Sequence, residues 1–439
     1  MRLLDLWKIA SRGCLTIIPL VVQSRPRKVQ TARGADARLD VTMLDPGNFL
    51  PYYNGSLCEA LSGLGLNIEL ITSVFLFEDL EKPKCYREER IFFRLIRGER
   101  RQWFRDHARA RRTLKMISYP VGLWRVWRML SRRTPSVLHI QMAPIPVLDA
   151  FLLRRLRRKG WRIVYTAHDV VSELRKPMRR RRTRKIYRHT DAVIVHTTGL
   201  AEKLKEDSSD VVRRICTIPE GVSAFPMYAS LTKAEARLGL GINPKSPVVL
   251  FFGMIKPYKG LEHLLSAWRK VHGAFPEARL LVVGVLMEFR PPISRLIDSL
   301  GIRDSVVVRL GYVPRSEVHR FFVAADAVAL PYTEISTSGI VPVSYRYARP
   351  VIATSAGALA DIVIDGKTGF VVPPDSADAL ADVICRGFLD LDALAAMGAH
   401  ARTWFENEHN WTHIAQQTAM LYRSLLSGAD PQPAAAYSA

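Results

Sequence analysis

Hydrophobic positions along this chain switch repeatedly between a period of two and a period near 3.6. Residues 41–44 form a short apolar run that closes on Asp45-Pro46-Gly47, as a strand running into a turn would. A turn-rich loop at 47–55 follows, then Leu57, Ala60, Leu61 and Leu64 at helical spacing, then a strand at 67–72. That order predicts a parallel βαβ unit. Residues 86–133 read as helical, with fifteen Arg and Lys interleaved among Phe92, Phe93, Trp103, Phe104, Trp124 and Trp127. Strands are predicted at 137–140, 163–166, 192–195 and 215–218, with a helix at 148–158. A second alternation has strands at 248–252, 280–283, 305–308, 327–330 and 350–353. Its helices fall at 261–272, 292–300 and 315–325, and the chain is helical from 376 to about 426.

The pattern predicts an α/β protein of two doubly wound domains. We expect a leader at 1–38, a first domain at 39–220, a linker at 221–246 and a second domain at 247–405. A terminal helix at 406–428 is expected to cross back to the first domain, ahead of a Pro/Ala/Ser-rich tail at 429–439. Ligands of such sheets bind at the carboxyl ends of the strands, so the site belongs in the cleft between the domains.

Length and composition agree: 439 residues, 48% hydrophobic, suit two domains that each bury a full core. Charge adds something new. Residues 1–215 hold 44 of the 64 Lys and Arg but 21 of the 41 Asp and Glu, so the whole net charge of +23 sits in that half. It should seek an anionic surface. The five cysteines are scattered without metal-ligand spacing, which argues against a zinc site or a disulfide framework and for a reducing compartment. No run is long enough to span a membrane. The leader, with its apolar run at 15–22 broken by Pro19, reads as an interfacial segment, a plain leader or a signal peptide.

Three places offer chemistry. Phe252-Gly253-Met254-Ile255-Lys256-Pro257-Tyr258-Lys259-Gly260-Leu261 leaves a strand, turns and enters a helix. A helix N-terminus with two lysines beside it suits an anion; the plainer reading is two solvated lysines. Pro331-Tyr332-Thr333-Glu334 runs on to Ser338-Gly339 after another strand. Backbone N–H groups there can serve a pyrophosphate and Glu334 can accept from sugar hydroxyls; the plainer reading is a loop without ligand. Thr166-Ala167-His168-Asp169 ends a strand of the first domain, so His168 faces the cleft or is simply held by Asp169.

Taken together, Gly-x3-Pro-x-Lys-Gly after a strand, the strand-end Glu followed by Ser-Gly, Pro350-Val-Ile-Ala-Thr354, Gly366-Lys-Thr-Gly-Phe370 and Ile218-Pro-Glu-Gly-Val222 resemble glycosyltransferase family 4. The resemblance runs from about residue 40 to 425. It implies a GT-B fold of two Rossmann-like domains, retaining transfer, a nucleotide-sugar donor on the second domain, and no metal or other cofactor. It assigns the diphosphate to Lys259, with Lys256 replacing the family's Arg, which is Met254 here. Glu334 matches the first Glu of the family's Glu-x7-Glu signature; the second, a ribose contact, is absent, its place falling on Pro342 or near Val343 and Ser344. His168 matches the strand-end His beside the donor sugar. The loop holding Gly47, Asn48, Asn54 and Gly55 matches the Gly-rich loop near donor and acceptor. Gly311 and Tyr312 lie where the base is held.

No carboxylate nucleophile is evident at the first domain's strand ends, so we expect same-face attack with the leaving phosphate oxygen as base. The basic runs at 154–159 and 179–185 and the Arg/aromatic stretch 86–133 read as a surface docking on an anionic membrane, as a solvated charge face, or as a nucleic-acid site; the last lacks any accompanying module. Docking suits a lipid-linked or other saccharide acceptor in bacterial polysaccharide, lipopolysaccharide or glycolipid assembly, on the cytoplasmic face of the membrane. A second reading is a catalytically silent GT-B-like partner protein, motivated by Met254 and the missing Glu.

Overall fold

The computed structural model describes residues 39–96, 100–221, 231–289 and 291–428. The leader, most of the early linker and the tail lie outside the described residues. The described residues form one compact unit.

The first sheet has seven parallel strands in the order β3-β2-β1-β4-β5-β6-β7. They are β1 Asp40–Leu44, β2 Asn67–Thr72, β3 Arg87–Arg90, β4 Val137–Ile140, β5 Arg162–Thr166, β6 Ala192–Val195 and β7 Ile215–Thr217. The second has six parallel strands in the order β10-β9-β8-β11-β12-β13. They are β8 Val248–Phe252, β9 Arg279–Gly284, β10 Val306–Leu310, β11 Ala327–Leu330, β12 Val351–Thr354 and β13 Gly369–Val372. Central strands such as β4, β6, β11 and β12 are buried at every position, because helices cover both faces of each sheet. The order reverses between β1 and β4 and again between β8 and β11. Crevices open at such switch points, at the carboxyl ends of the strands.

Three expectations change. Residues 86–133 are not all helix: Arg87-Glu-Glu-Arg90 is an edge strand on β2, followed by helices Arg100–Asp106 and Ala108–Leu130. Charged residues on an edge strand discourage pairing with other chains, and they hide the strand from an apolar pattern. The helix after β1 begins at Pro51, not near Ser56, because Pro at the first position starts a helix without a side-chain cap. The second sheet also gains β13, for which no strand was expected.

The helix Trp411–Ser427 packs on the helix Pro51–Gly63, so the chain's last described helix completes the first domain. Ile414, Ala419, Tyr422 and Leu425 share one core cluster with Leu57, Leu61 and Met43. Asn410 starts it by accepting a bond from the His413 N–H (2.8 Å).

In the second domain one carboxylate organises the first strand. Asp326 accepts from the Val248 N–H (2.7 Å) and from Arg237 (2.6 Å), and pairs with Lys233. Asp326 and Arg237 are both 5% exposed. Asp326→Ala would leave Arg237 buried without its counter-ion, so we expect a loss of about 3–5 kcal/mol in urea unfolding of the second domain. A loss under about 1 kcal/mol would show that this network is dispensable.

Candidate functional site

The second domain offers a turn built for close approach. β8 ends at Phe252, Gly253 follows with φ +120°, and the 3-10 turn Pro257–Lys259 leads through Gly260 (φ +63°) into the helix Leu261–Ala274. A side chain on Gly260 would meet the Pro331 carbonyl at 1.8 Å, so the turns after β8 and β11 touch backbone to backbone. On this turn the Lys259 side chain is buried. Its Nζ lies 3.8 Å from the ring centre of Tyr332 and 5.5 Å from that of Tyr258. Among the described residues Lys259 has no carboxylate in ion-pair reach. Burial pushes its pKa down to about 8. Lys256 stands half-buried, its Nζ 5.8 Å from the centre of the Tyr258 ring, and Met254 is exposed beside it.

Tyr332 joins this turn to the second motif. Its hydroxyl lies 3.4 Å from the Ser338 Oγ, and Gly339 caps the short helix Ile340–Arg346. Lys259, Tyr332 and Ser338 therefore form one cluster, although more than seventy residues separate the two motifs. Gly311 (φ +135°) follows β10, and its neighbour Tyr312 stacks on Phe77 of the first domain, ring centres 5.1 Å apart. The Tyr312 hydroxyl donates to Glu78 (3.1 Å), which also accepts from Tyr52 (2.7 Å).

The first domain brings its strand ends to the same cleft. Beyond β1, Asp45 is buried and accepts from the Asn54 amide (2.8 Å) and the Leu50 N–H (3.2 Å). Asn48, at φ +50°, donates to the Ser73 carbonyl (2.9 Å). Gly47 packs against the Phe49 ring, and Gly55 lies inside the helix Pro51–Gly63 facing Tyr86. Of the four residues expected in one loop, only Gly47 and Asn48 precede the helix, and both amides are turned inward.

His168 is not held by Asp169. Its Nε2 meets the Gln141 amide at 2.9 Å and its Nδ1 meets His196 Nε2 at 3.1 Å. Burial, then the neighbouring His196 and His139, push its pKa well below the usual value, so the ring is neutral at pH 7. Tyr53 packs edge-on against it, ring centres 5.1 Å apart. Asp169 instead caps the helix Val170–Arg175 and accepts from the Ser336 hydroxyl (2.9 Å), while Ser336 Oγ accepts from the Val171 N–H (2.8 Å). Beside this contact Arg175 pairs with Glu334 across the cleft. A half-buried carboxyl, Glu220, accepts from Thr337, and burial raises its pKa.

Gln141, Arg175, His196, Glu220 and Tyr332 were not among the expected site residues. A usable signal existed for two of them. Gln141 and His196 directly follow β4 and β6, at the carboxyl ends where a doubly wound sheet gathers its ligands.

This geometry defines a class: two Rossmann-like domains facing one cleft, with an anion-ready turn on the second, as in transferases of the GT-B fold. Residues 52–221 match the family described as "Glycosyl transferase 4-like domain", and residues 232–404 match "Glycosyl transferases group 1". The chain belongs to glycosyltransferase family 4, nucleotide-sugar transferases of the GT-B type, and is an enzyme. It is 28% identical over 303 residues to a D-inositol 3-phosphate glycosyltransferase of Corynebacterium urealyticum, covering 65% of this chain and 70% of that protein. Over eight such D-inositol 3-phosphate glycosyltransferases the chain spans 53–70% of their length. Its fold is similar to that of the sucrose-phosphate synthase of Thermosynechococcus elongatus (TM-score 0.70, 20% identity, 89% of this chain and 100% of that one). It is also similar to that of HepE from Anabaena, solved in complex with UDP and glucose (TM-score 0.69, 17% identity, 88% and 100%).

A diphosphate at Lys259 would favour the charged amine. Lys259 loses its proton as pH rises through about 8 in the free protein. Binding of UDP, GDP or ADP should therefore be level below that pH and weaken up to about tenfold per unit above it. Calorimetric titration between pH 7 and 9 measures this, and Lys259→Met should weaken binding at pH 7 and flatten the profile. A wild-type affinity constant to pH 9 would place the diphosphate elsewhere.

Proposed function

We propose that this enzyme moves a sugar, with retention, from a nucleotide-sugar donor to a saccharide or lipid-linked acceptor held by its basic domain at an anionic membrane surface. The observation that carries the donor half is Lys259, a buried cation without a carboxylate, on a glycine-bounded turn at the β8/β11 switch point. An unpaired buried charge is costly. A diphosphate supplies the missing counter-charge, and Lys256 adds a second cation on the same turn. Glu334 and His168 stand on either side of the cleft where the sugar would lie, and Gly311 with Tyr312 would hold the base. The donor must displace Arg175 from Glu334 for the sugar hydroxyls to reach that carboxylate.

Fixed positive groups stabilise the leaving diphosphate as the glycosidic bond breaks, an effect of about 3–4 kcal/mol for one well-placed donor. A neutral His168 is a poor counter-ion for an oxocarbenium-like centre and contributes hydrogen bonding instead. The acceptor oxygen attacks from the face the diphosphate leaves, and a phosphate oxygen takes its proton. No metal is needed in this scheme, because lysine and backbone donors fill that role.

The acceptor half rests on the surface of the first domain. Helices Ala108–Leu130, Pro146–Arg158 and Pro177–Tyr187 contribute to one core cluster and turn their other sides outward. Ile117 (71% exposed), Phe151 (55%) and Met178 (63%) stand among arginines there. Arg155 lies 4.1 Å over the Phe151 ring and Arg128 lies 5.5 Å over Trp124. Arginine with exposed aromatic and aliphatic groups suits the interface of an anionic bilayer, at about 1 kcal/mol per basic residue. Among the described residues no helix is long and apolar enough to cross a membrane. A cavity of about 890 Å³ near the carboxyl end of β2 is lined by Lys82, Arg90, Arg94 and Arg101 together with Asp79, Glu88 and Glu89; Arg90 and Arg101 are paired with Glu88 and Asp79, so Lys82 and Arg94 are the candidates for an anionic acceptor group. This reading puts the enzyme on the cytoplasmic face of the membrane.

Two experiments test it. Purified protein incubated with UDP-, GDP- and ADP-sugars should release nucleotide from at least one, and Lys259→Ala should lower that rate at least a hundredfold. No release, and no thermal protection by any donor, would contradict the donor half. In sedimentation, vesicles containing phosphatidylglycerol should carry down most of the protein and neutral vesicles little. Equal binding to both would remove the electrostatic basis of docking.

A further inference from the structure

A line of buried polar groups runs beneath the cleft. Tyr422 of the helix Trp411–Ser427 places its hydroxyl 2.6 Å from His139 Nδ1. His139 Nε2 lies 2.7 Å from Thr166 Oγ1 and 3.3 Å from the Gln141 amide. Gln141 Oε1 is 2.9 Å from His168 Nε2, His168 Nδ1 is 3.1 Å from His196 Nε2, and His196 Nδ1 is 3.0 Å from the Ile218 carbonyl.

The last contact sets the direction of all the others. A carbonyl oxygen only accepts, so the proton of a neutral His196 is on Nδ1 and its Nε2 holds a lone pair. The facing nitrogen must then donate, which puts a proton on His168 Nδ1. A neutral His168 keeps a lone pair on Nε2, so the Gln141 amide, whose Oε1 faces that nitrogen in this structure, must be turned over to present its NH2 there. The planar amide is the same size either way round and takes its orientation from its partners. His139 Nε2 then donates, chiefly to Thr166 Oγ1 at 2.7 Å and more weakly to the turned Gln141 carbonyl at 3.3 Å, and His139 Nδ1 accepts from Tyr422. Every member gives and receives in one consistent direction.

We propose that His196 is a positioning residue for His168. It holds that ring as the neutral Nδ1–H tautomer, so that Nε2 stays a hydrogen-bond acceptor at the cleft. This rests on the reading of His168 as a contact of the donor sugar: a sugar hydroxyl donates to Nε2 in place of the Gln141 NH2. Without His196 the ring is free to turn over to the Nε2–H form, which offers a hydroxyl a donor where the site needs an acceptor. The other ionisable groups around the pair are Tyr53 from the helix after β1, His139 from β4, Asp169 beyond β5, Glu220 from the chain leaving the first sheet, and His409. Burial holds His139 near 3 and His409 near 4, so neither supplies a charge at neutral pH.

The test is nitrogen NMR on the whole chain labelled with 15N-histidine, with the His168 signals identified by their loss in His168→Gln. The wild type should show His168 neutral and protonated on Nδ1 from pH 6 to 8. His196→Ala should convert it to mixed tautomers. His196→Gln, whose amide oxygen reaches toward the same place, should restore the Nδ1–H form. With UDP-glucose and GDP-mannose as donors, His196→Ala should raise donor KM at least tenfold, and His196→Gln should return it to within about threefold of wild type. An Nε2–H or doubly protonated His168 in the wild type overturns the proposal, and this measurement needs no variant of His196 to fold. So does a His196→Ala protein with an altered tautomer and an unchanged donor KM. A wild type that shows the Nδ1–H form but neither binds nor turns over either nucleotide sugar rejects the donor reading and upholds the tautomer assignment.

Discussion

The crossing of the helix Trp411–Ser427 onto the helix Pro51–Gly63 is the contact on which the cleft depends. It follows the second domain in the chain yet completes the core of the first, so the chain crosses between the two sheets a second time, just before Trp411. Ile414, Leu421, Tyr422 and Leu425 are buried there, each contributing roughly 1.5–3 kcal/mol. The same helix reaches the chemistry. Trp411 packs edge-on against Tyr53 (5.2 Å between ring centres) and lies where any side chain on Gly221 would strike it at 2.6 Å. Tyr53 in turn backs His168 and His196, and Tyr422 begins the polar line beneath them. The same helix thus joins the core of the first domain to the polar groups beneath the cleft.

Electrostatics divide the labour between the domains. The second is neutral overall, and among its described residues the buried Lys259 has no carboxylate in ion-pair reach. The net charge of +23 lies wholly within residues 1–215, and the first domain turns many of its basic side chains outward beside exposed aromatic and aliphatic groups. One cation is desolvated, which is the basis for proposing a small anion there; the many are hydrated, which is the basis for proposing an extended anionic surface. Two cross-cleft contacts, Arg175 with Glu334 and Tyr312 with Phe77, occupy the places assigned to sugar and base, so donor entry requires their exchange.

Much of the fold was legible because both sheets are parallel and covered on both faces, which turns their strands into short apolar runs. β3 was not, because an edge strand is specified by its neighbour and protected by charge. The early start of the helix at Pro51 was not, because it depends on one proline and on Asp45 gathering the Leu50 N–H and the Asn54 amide. At the site, local motifs pointed to Lys256, Lys259 and Glu334, each tied to a strand–turn–helix pattern. The partners of these residues come from far away in sequence: Tyr332 under Lys259, Arg175 on Glu334, Gln141 and His196 on His168. Such pairs have no spacing to read, since the sheet order alone brings them together. Tyr312 shows the same limit, its ring being covered by Phe77 of the other domain.

If a nucleotide diphosphate seats on the turn after β8, against Lys259, a crystal structure of the whole chain grown with UDP, GDP or ADP will show it. Diphosphate oxygens should lie within hydrogen-bond distance of Lys259 Nζ, with Gly253 close behind them and Arg175 parted from Glu334 once a sugar is attached. A nucleotide bound elsewhere, with Lys259 still lying alone over Tyr332, would contradict it.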